Sequence, residues 1–276
     1  MKNFFHVGFF HSGSTFIQKN ILYKIDTYNT NLRKDDIDKN RSRLPKNFGK
    51  FFFEENKSIY SDFNKIKRPF IYSSEAFSVP MEHPSFYEKK NKNKLIKNPR
   101  ISVLNLISYL VTNQKDEVII IIRKQTDLIN SYYKRLNKFF KNENEIFIDF
   151  PYRFNKHKTS SRNICLKKYG QIYIDSLDFR KFVGKFSNFI DKKRIHILPY
   201  ELLKFNGKIF LNKFEKIINI KLNKNQIPLN QIVNKSPDTK RCISKNFEKK
   251  IFNEFKSSNY ILDKTYKLGL KKFGYY

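Results

Sequence analysis

Residues 118–122 read Val-Ile-Ile-Ile-Ile, the longest β-branched apolar run in the chain. A run of this kind is what a parallel strand buried on both faces requires. Parallel strands need long crossovers, so helices must supply the covering layers. The flanking sequence fits. Apolar residues at 101, 104, 106, 107, 110 and 111 predict an amphipathic helix over 101–112, directly before the run. Shorter strand signals lie at 4–10, 70–72 and 194–199. Helical spacing recurs at 16–22, 128–135, 178–190, 210–220, 246–255 and 260–268. Strands alternate with helices through most of the chain. The expected fold class is therefore α/β: three layers, with a mostly parallel central sheet flanked by helices, as a single domain over 1–276.

Residues with chemistry cluster where these strands end. The apolar stretch from Phe4 to Phe10 runs into His11-Ser12-Gly13-Ser14-Thr15, and helical spacing begins at Phe16. A strand, a tight loop of small residues and a helix start aim backbone N–H groups at a phosphate-like anion. Ser12, Ser14 and Thr15 add hydroxyl donors, and Gly13 permits close backbone approach. The spacing Gly8-x-x-x-x-Gly13-Ser14-Thr15 is that of a Walker A loop with Ser14 in the lysine position. An NTPase reading loses its main support there. The plain alternative is a serine-rich turn with no ligand.

The run at 118–122 ends directly in Arg123, where a cation can hold an anion, and Ser131 follows eight residues later on the next helix. Thr126 or Asp127 is the expected N-cap of that helix. Arg68-Pro69-Phe70-Ile71-Tyr72-Ser73-Ser74-Glu75 is a strand closing on a carboxylate, so Glu75 is placed at a ligand-facing strand end or is a cap or surface charge. His196 sits inside an apolar run and reads as structural. Residues 141–170 are basic and irregular: a substrate loop, a lid or a linker.

The formal net charge is +31, from 56 Lys+Arg against 25 Asp+Glu. Such a balance favours anionic partners. Abundant Lys, Asn, Ile, Phe and Tyr with few Gly residues also fit an AT-rich genome, which explains much of the charge without a ligand. No RNP motif, zinc-finger spacing or helix-turn-helix glycine stands out, so nucleic acid is not the expected partner. Cys165 and Cys242 form no CxxC pair, which fits a reducing compartment. No apolar run approaches a membrane span and no secretion signal is evident, so a cytoplasmic protein is expected.

Together these pieces resemble the PAPS-dependent sulfotransferases, particularly bacterial and carbohydrate-type members. That family has a strand, then Pro-Lys-Ser-Gly-Thr-Thr, then a helix, and Phe10-His11-Ser12-Gly13-Ser14-Thr15 occupies the same place. A strand ending in Arg with Ser eight residues on is matched by Arg123 and Ser131. A strand ending near the catalytic base is matched by Tyr72-Ser73-Ser74-Glu75. Pro199-Tyr200-Glu201-Leu202-Leu203 and the tail from Ser258 to Tyr275 also look like bacterial members.

The resemblance implies a P-loop-like nucleotide-binding architecture and sulfuryl transfer from PAPS (3′-phosphoadenosine 5′-phosphosulfate) to an acceptor hydroxyl, on a carbohydrate by preference, with no metal. It implies that His11, Ser12, Gly13, Ser14, Thr15 and Phe16 hold the 5′ end and adenine of the cofactor. Arg123 and Ser131 would hold its 3′-phosphate, while His11 and Glu75 would be catalytic. Two departures stand out. The family's loop lysine is His11 here, charged only part of the time near neutral pH, and Glu75 stands where many relatives have a histidine base. Low or pH-dependent turnover, or binding without turnover, follows as an expectation. Other classes remain open: a P-loop nucleotide kinase-like protein, and a non-catalytic basic module binding anionic glycan or nucleic acid.

Overall fold

The computed structural model describes residues 2–9, 12–25, 27–30, 68–73, 101–137, 142–148, 172–229 and 241–276. Its centre is the expected buried strand. Strand β4 (Glu117–Ile122) is buried along its whole length and pairs in parallel with β1 (Phe4–Gly8) on one side and β7 (Ile195–Pro199) on the other. Beyond β1 lies β3 (Phe70–Ser73), then the two-residue β2 (Asn29–Thr30). Among the described residues this sheet has five strands in the order β2-β3-β1-β4-β7, every pair parallel. A separate two-stranded parallel pair joins β5 (Phe147–Ile148) to β6 (Ile172–Tyr173).

Helices cover both faces, giving the three layers read from the sequence. Alternation along β4 shows how. Val118, Ile120 and Ile122 point into one apolar cluster with Phe5, Val7 and Phe9 of the first strand region. That cluster is closed by α2 (Ile101–Thr112), α3 (Gln125–Leu136), α4 (Phe179–Ser187) and the long α7 (Lys245–Tyr266). Ile119 and Ile121 point the other way, towards α1 (Ser14–Asn20), α5 (Tyr200–Phe205) and α6 (Gly207–Ile218). The second cluster contains Phe4, Ile71 and Leu198 from neighbouring strands. Burying β-branched side chains on two faces is what locks these strands in register, since a one-residue slip would exchange the two sets.

Several expectations shift in detail. The tail is one continuous helix over Lys245–Tyr266 rather than two, capped by the Ser244 side chain accepting from the Phe247 N–H at 3.2 Å. Residues 200–205, directly after β7, form the short helix α5. Neither Thr126 nor Asp127 caps α3: Lys124 occupies the N-cap position and no side chain caps it there. Thr126 lies inside the first turn with its hydroxyl buried. His196 is structural as expected, its Nε2 sitting 2.6 Å from the Glu117 carboxylate. No helix among the described residues is long and apolar enough to cross a membrane.

Candidate active site

The chain steps outward from β1 to β3 on one side of the sheet and then returns to place β4 on the other side of β1. Open α/β sheets bind ligands at such a reversal, outside the carboxyl ends of the strands. Here those ends carry the loop after Gly8 and the residue Arg123. Register fixes their relation. Gly8 pairs with Ile121, the Phe9 N–H donates to the Ile121 carbonyl at 3.3 Å, and Ile122 pairs with Pro199. Arg123 and Tyr200 therefore come next on adjacent strands, side by side at the sheet's edge.

The loop is built on two glycines. Gly13 adopts φ 80°, ψ 11° at the N-cap of α1, a left-handed conformation that suits glycine. A Cβ there would lie 2.3 Å from Cε2 of Tyr200, so the ring rests on the bare backbone. At Gly8 a Cβ would lie 1.9 Å from the Ser14 hydroxyl oxygen. The Walker-like spacing thus has a packing reason: the strand must be bare where the helix start folds back over it.

Hydrogen bonding within the loop decides which donors face outward. The Ser12 N–H donates to the Phe9 carbonyl at 3.0 Å, and the fully buried Ser12 hydroxyl donates to the same carbonyl. Ser12, expected as a ligand donor, is instead part of the loop's own frame. Ser14 is also buried, 3.5 Å from the Ser12 hydroxyl. Thr15 is half-buried. No side chain caps α1, so its first N–H groups, from Ser14 onward, lack intrahelical partners, as at any helix start. Phe16, expected against an adenine, is 6% exposed and packs in the apolar cluster with Ile17, Ile21 and Phe210. Helix amphipathicity explains this, because position 16 shares a face with the buried Ile17 and the following turn.

Arg123 is half-buried, and its guanidinium lies 5.1 Å from the Tyr200 ring centroid, a cation–π contact. Tyr200 therefore touches both halves of the site, with Gly13 against its edge and Arg123 over its face. Burial pushes the Tyr200 phenol up, and the Arg123 charge partly offsets that. Next in sequence, Glu201 is 3% exposed and accepts from the Lys124 N–H at 2.9 Å. Burial pushes its carboxyl up, opposed by hydrogen bonds and by the Arg123 charge. Ser131 stands half-buried in α3, beyond Arg123. Arg241 pairs with Asp127 at 3.2 Å and Glu248 at 2.8 Å. His11 and Glu75 lie outside the described residues.

Behind the loop is a polar group that the sequence did not suggest. His6 of β1 is wholly buried, with Nδ1 2.7 Å from the Ser73 hydroxyl, which also accepts from Gln18 of α1 at 3.0 Å. Burial lowers the His6 pKa to about 3, so the ring is neutral in the fold. This chain of contacts ties α1 to the carboxyl end of β3, the strand that leads into Ser74 and Glu75. Tyr200 and Glu201 were also missed as site residues. Their signal was present in the apolar strand closing at Pro199, since the next residues must emerge beside whichever strand pairs with it.

No family model matches the sequence, and no curated protein matches it. Solved structures do match by fold. A sulfotransferase from Alicyclobacillus acidocaldarius superposes with a TM-score of 0.55 at 12% identity, covering 99% of this chain and 98% of that one. The sulfotransferase domain from the curacin biosynthetic pathway gives a TM-score of 0.42 at 12% identity, covering 84% of this chain and 78% of that one. The first likeness spans nearly the full length of both chains. It establishes a shared fold, a P-loop-like α/β architecture.

Proposed function

We propose that the protein transfers a sulfuryl group from PAPS to an acceptor hydroxyl. One observation carries the reading: the Tyr200 ring brings the bare backbone of Gly13 and the guanidinium of Arg123 to one place, at neighbouring strand ends. A nucleotide with phosphates at both its 5′ and 3′ positions needs two anion cradles within its own length, here the helix start after Gly13 and the guanidinium of Arg123. A kinase-like NTPase would need a lysine at Ser14 and an acidic strand end at Arg123.

On this reading the first N–H groups of α1 and the half-buried Thr15 hold the 5′ end, and Arg123 with Ser131 holds the 3′-phosphate. PAPS supplies the sulfuryl group. His11, when protonated, stabilises negative charge as it builds on the departing phosphate oxygen. The Glu75 carboxylate takes the acceptor's hydroxyl proton as its oxygen bonds to sulfur and the bond from sulfur to the phosphate oxygen breaks. The positive potential comes from loop and side chains, so the scheme calls for no metal. A carbohydrate is the proposed acceptor, as the resemblance to carbohydrate-type sulfotransferases implies.

The test is Arg123→Ala. Loss of a charge-assisted contact of about 1.5–3 kcal/mol should weaken adenosine 3′,5′-bisphosphate about 10- to 150-fold. Affinity for AMP, which lacks the 3′-phosphate, should stay within about twofold by the same reasoning. Equal losses for both ligands would refute the assignment of Arg123.

A further inference from the structure

We propose that Tyr275 is a positioning residue of this site: a buried strut that acts through Glu201 to hold the turn presenting Arg123. The inference rests on the sulfuryl-transfer reading for its ligand and on the geometry alone for the strut.

Tyr275 is 1% exposed, and its hydroxyl donates to Glu201 Oε2 at 2.6 Å. The other oxygen of the same carboxylate accepts from the Lys124 N–H at 2.9 Å. One buried carboxylate thus links the end of the chain to the peptide unit immediately after Arg123. A second link runs in parallel. Asn259 donates to the Tyr275 carbonyl at 3.1 Å and exchanges reciprocal side-chain hydrogen bonds of 3.0 Å with Gln125. Tyr275 therefore grips Lys124 through Glu201 and Gln125 through Asn259. Gly274 completes the grip with φ 71°, where an added Cβ would come 3.3 Å from Lys124 Nζ.

This network buries a carboxylate, a phenol and two amides that an apolar tail would not have to desolvate. Each is satisfied, and a satisfied buried polar network fixes one geometry where apolar packing tolerates several. The geometry it fixes is that of the turn after β4, where α3 starts with no side chain as its cap. Glu201 also follows Tyr200 directly, so a shift at Glu201 carries the ring that bears Gly13 and Arg123. Small displacements matter, because a charged fork must meet its anion within about half an ångström.

The experiment compares full-length Tyr275→Phe with wild type, titrating adenosine 3′,5′-bisphosphate and AMP. Tyr275→Phe keeps the ring but removes the hydroxyl. The bisphosphate should bind about 3- to 10-fold more weakly and AMP no differently, because only the contact oriented by the turn is degraded. Glu201→Ala should lose the preference for the bisphosphate. Tyr276→Phe is the control. It deletes a 2.7 Å hydrogen bond to Asp263 in the same tail without touching the strut, so it should destabilise without altering the preference. If Tyr275→Phe lowers the melting temperature yet leaves the ratio of the two affinities intact, Tyr275 is merely structural and the proposal is overturned.

Hydrogen exchange at the Lys124 amide tests the strut without any ligand. It should quicken in Tyr275→Phe and not in Tyr276→Phe, and unchanged exchange would overturn the proposal. Should wild type show no preference for the bisphosphate, the sulfuryl-transfer reading falls and Lys124 exchange alone decides the strut.

Discussion

Replacing Gly13 by Ala perturbs the site at its tightest point, and the cost has two separable parts. The first is conformational: at φ 80° an L side chain crowds its own carbonyl, costing about 1–2 kcal/mol. The second is steric. The new methyl would sit 2.3 and 2.5 Å from two carbons of the Tyr200 ring, well inside the carbon–carbon optimum of about 3.5–4.0 Å. The ring packs against the apolar cluster beneath α1, α5 and α6, so it moves only by disturbing that packing, an overpacking cost of about 1–3 kcal/mol. The total, about 2–5 kcal/mol, is a large share of the stability of an ordinary domain. Urea denaturation should show a lower midpoint at unchanged slope. The parts separate in a Tyr200→Ala background, where Gly13→Ala should cost only its conformational share, leaving a coupling of about 1–3 kcal/mol. Gly184→Ala is the internal comparison: no atom lies within 4 Å of its added Cβ in α4, so it should stabilise by about 0.5–1 kcal/mol. If Gly13→Ala costs the same with and without the Tyr200 ring, the close approach of loop and ring is refuted, and with it the geometry of the site.

Three further outcomes follow from buried polar groups. Because the folded protein holds His6 neutral with a pKa of about 3, against 6.5 for the free group, the unfolded chain binds the extra proton between those values. Stability should therefore be unaffected by His6 above about pH 6.5 and fall below it by up to about 1.4 kcal/mol per pH unit, approaching a floor near pH 3. His6→Asn should flatten that acid limb in denaturation midpoints taken between pH 7 and 4, and an unchanged slope would contradict the burial of His6. Arg194 staples the α2–β4 connection by donating to the carbonyls of Leu110, Asn113 and Asp116 at 2.6–2.9 Å. Arg194→Lys cannot span them with one ammonium and should cost about 1.5–3 kcal/mol, read as a melting temperature lowered by about 3–10 °C. Asn259→Leu removes the donor to the Gln125 amide oxygen, while the Gln125 amide nitrogen keeps the Leu177 carbonyl, and should destabilise by about 1–3 kcal/mol, with Gln125→Leu in the same chain recovering part of the loss.

The sequence made the architecture legible where burial alone dictates structure. The β-branched run at 118–122 could satisfy both of its faces only between helical layers, and helix 101–112 has the bounds its apolar spacing predicts. The Gly8 to Gly13 spacing likewise announced a strand folding back under a helix start. What stayed hidden depends on pairing between distant segments. Tyr200 meets Arg123 only because β7 joins β4 with Ile122 opposite Pro199, a register that no local pattern specifies. The α3 cap was misplaced for the same reason: the Lys124 N–H is satisfied by Glu201, 77 residues away. Apolar helical spacing runs over 246–255 and again over 260–268, with the polar Lys256-Ser257-Ser258-Asn259 between them. Asn259 is in fact 1% exposed, its amide matched by Gln125. Polarity marks a surface only when no distant partner exists to receive it.

The most direct measurement is a calorimetric titration of the wild-type protein with adenosine 3′,5′-bisphosphate, with ATP and AMP as comparison ligands. An anion site divided between the helix start after Gly13 and the strand end at Arg123 predicts saturable binding of the bisphosphate, tighter than either comparison ligand by about tenfold or more, the worth of one added charge-assisted contact. Equal binding of ATP, or none of the bisphosphate, would contradict the sulfuryl-transfer reading.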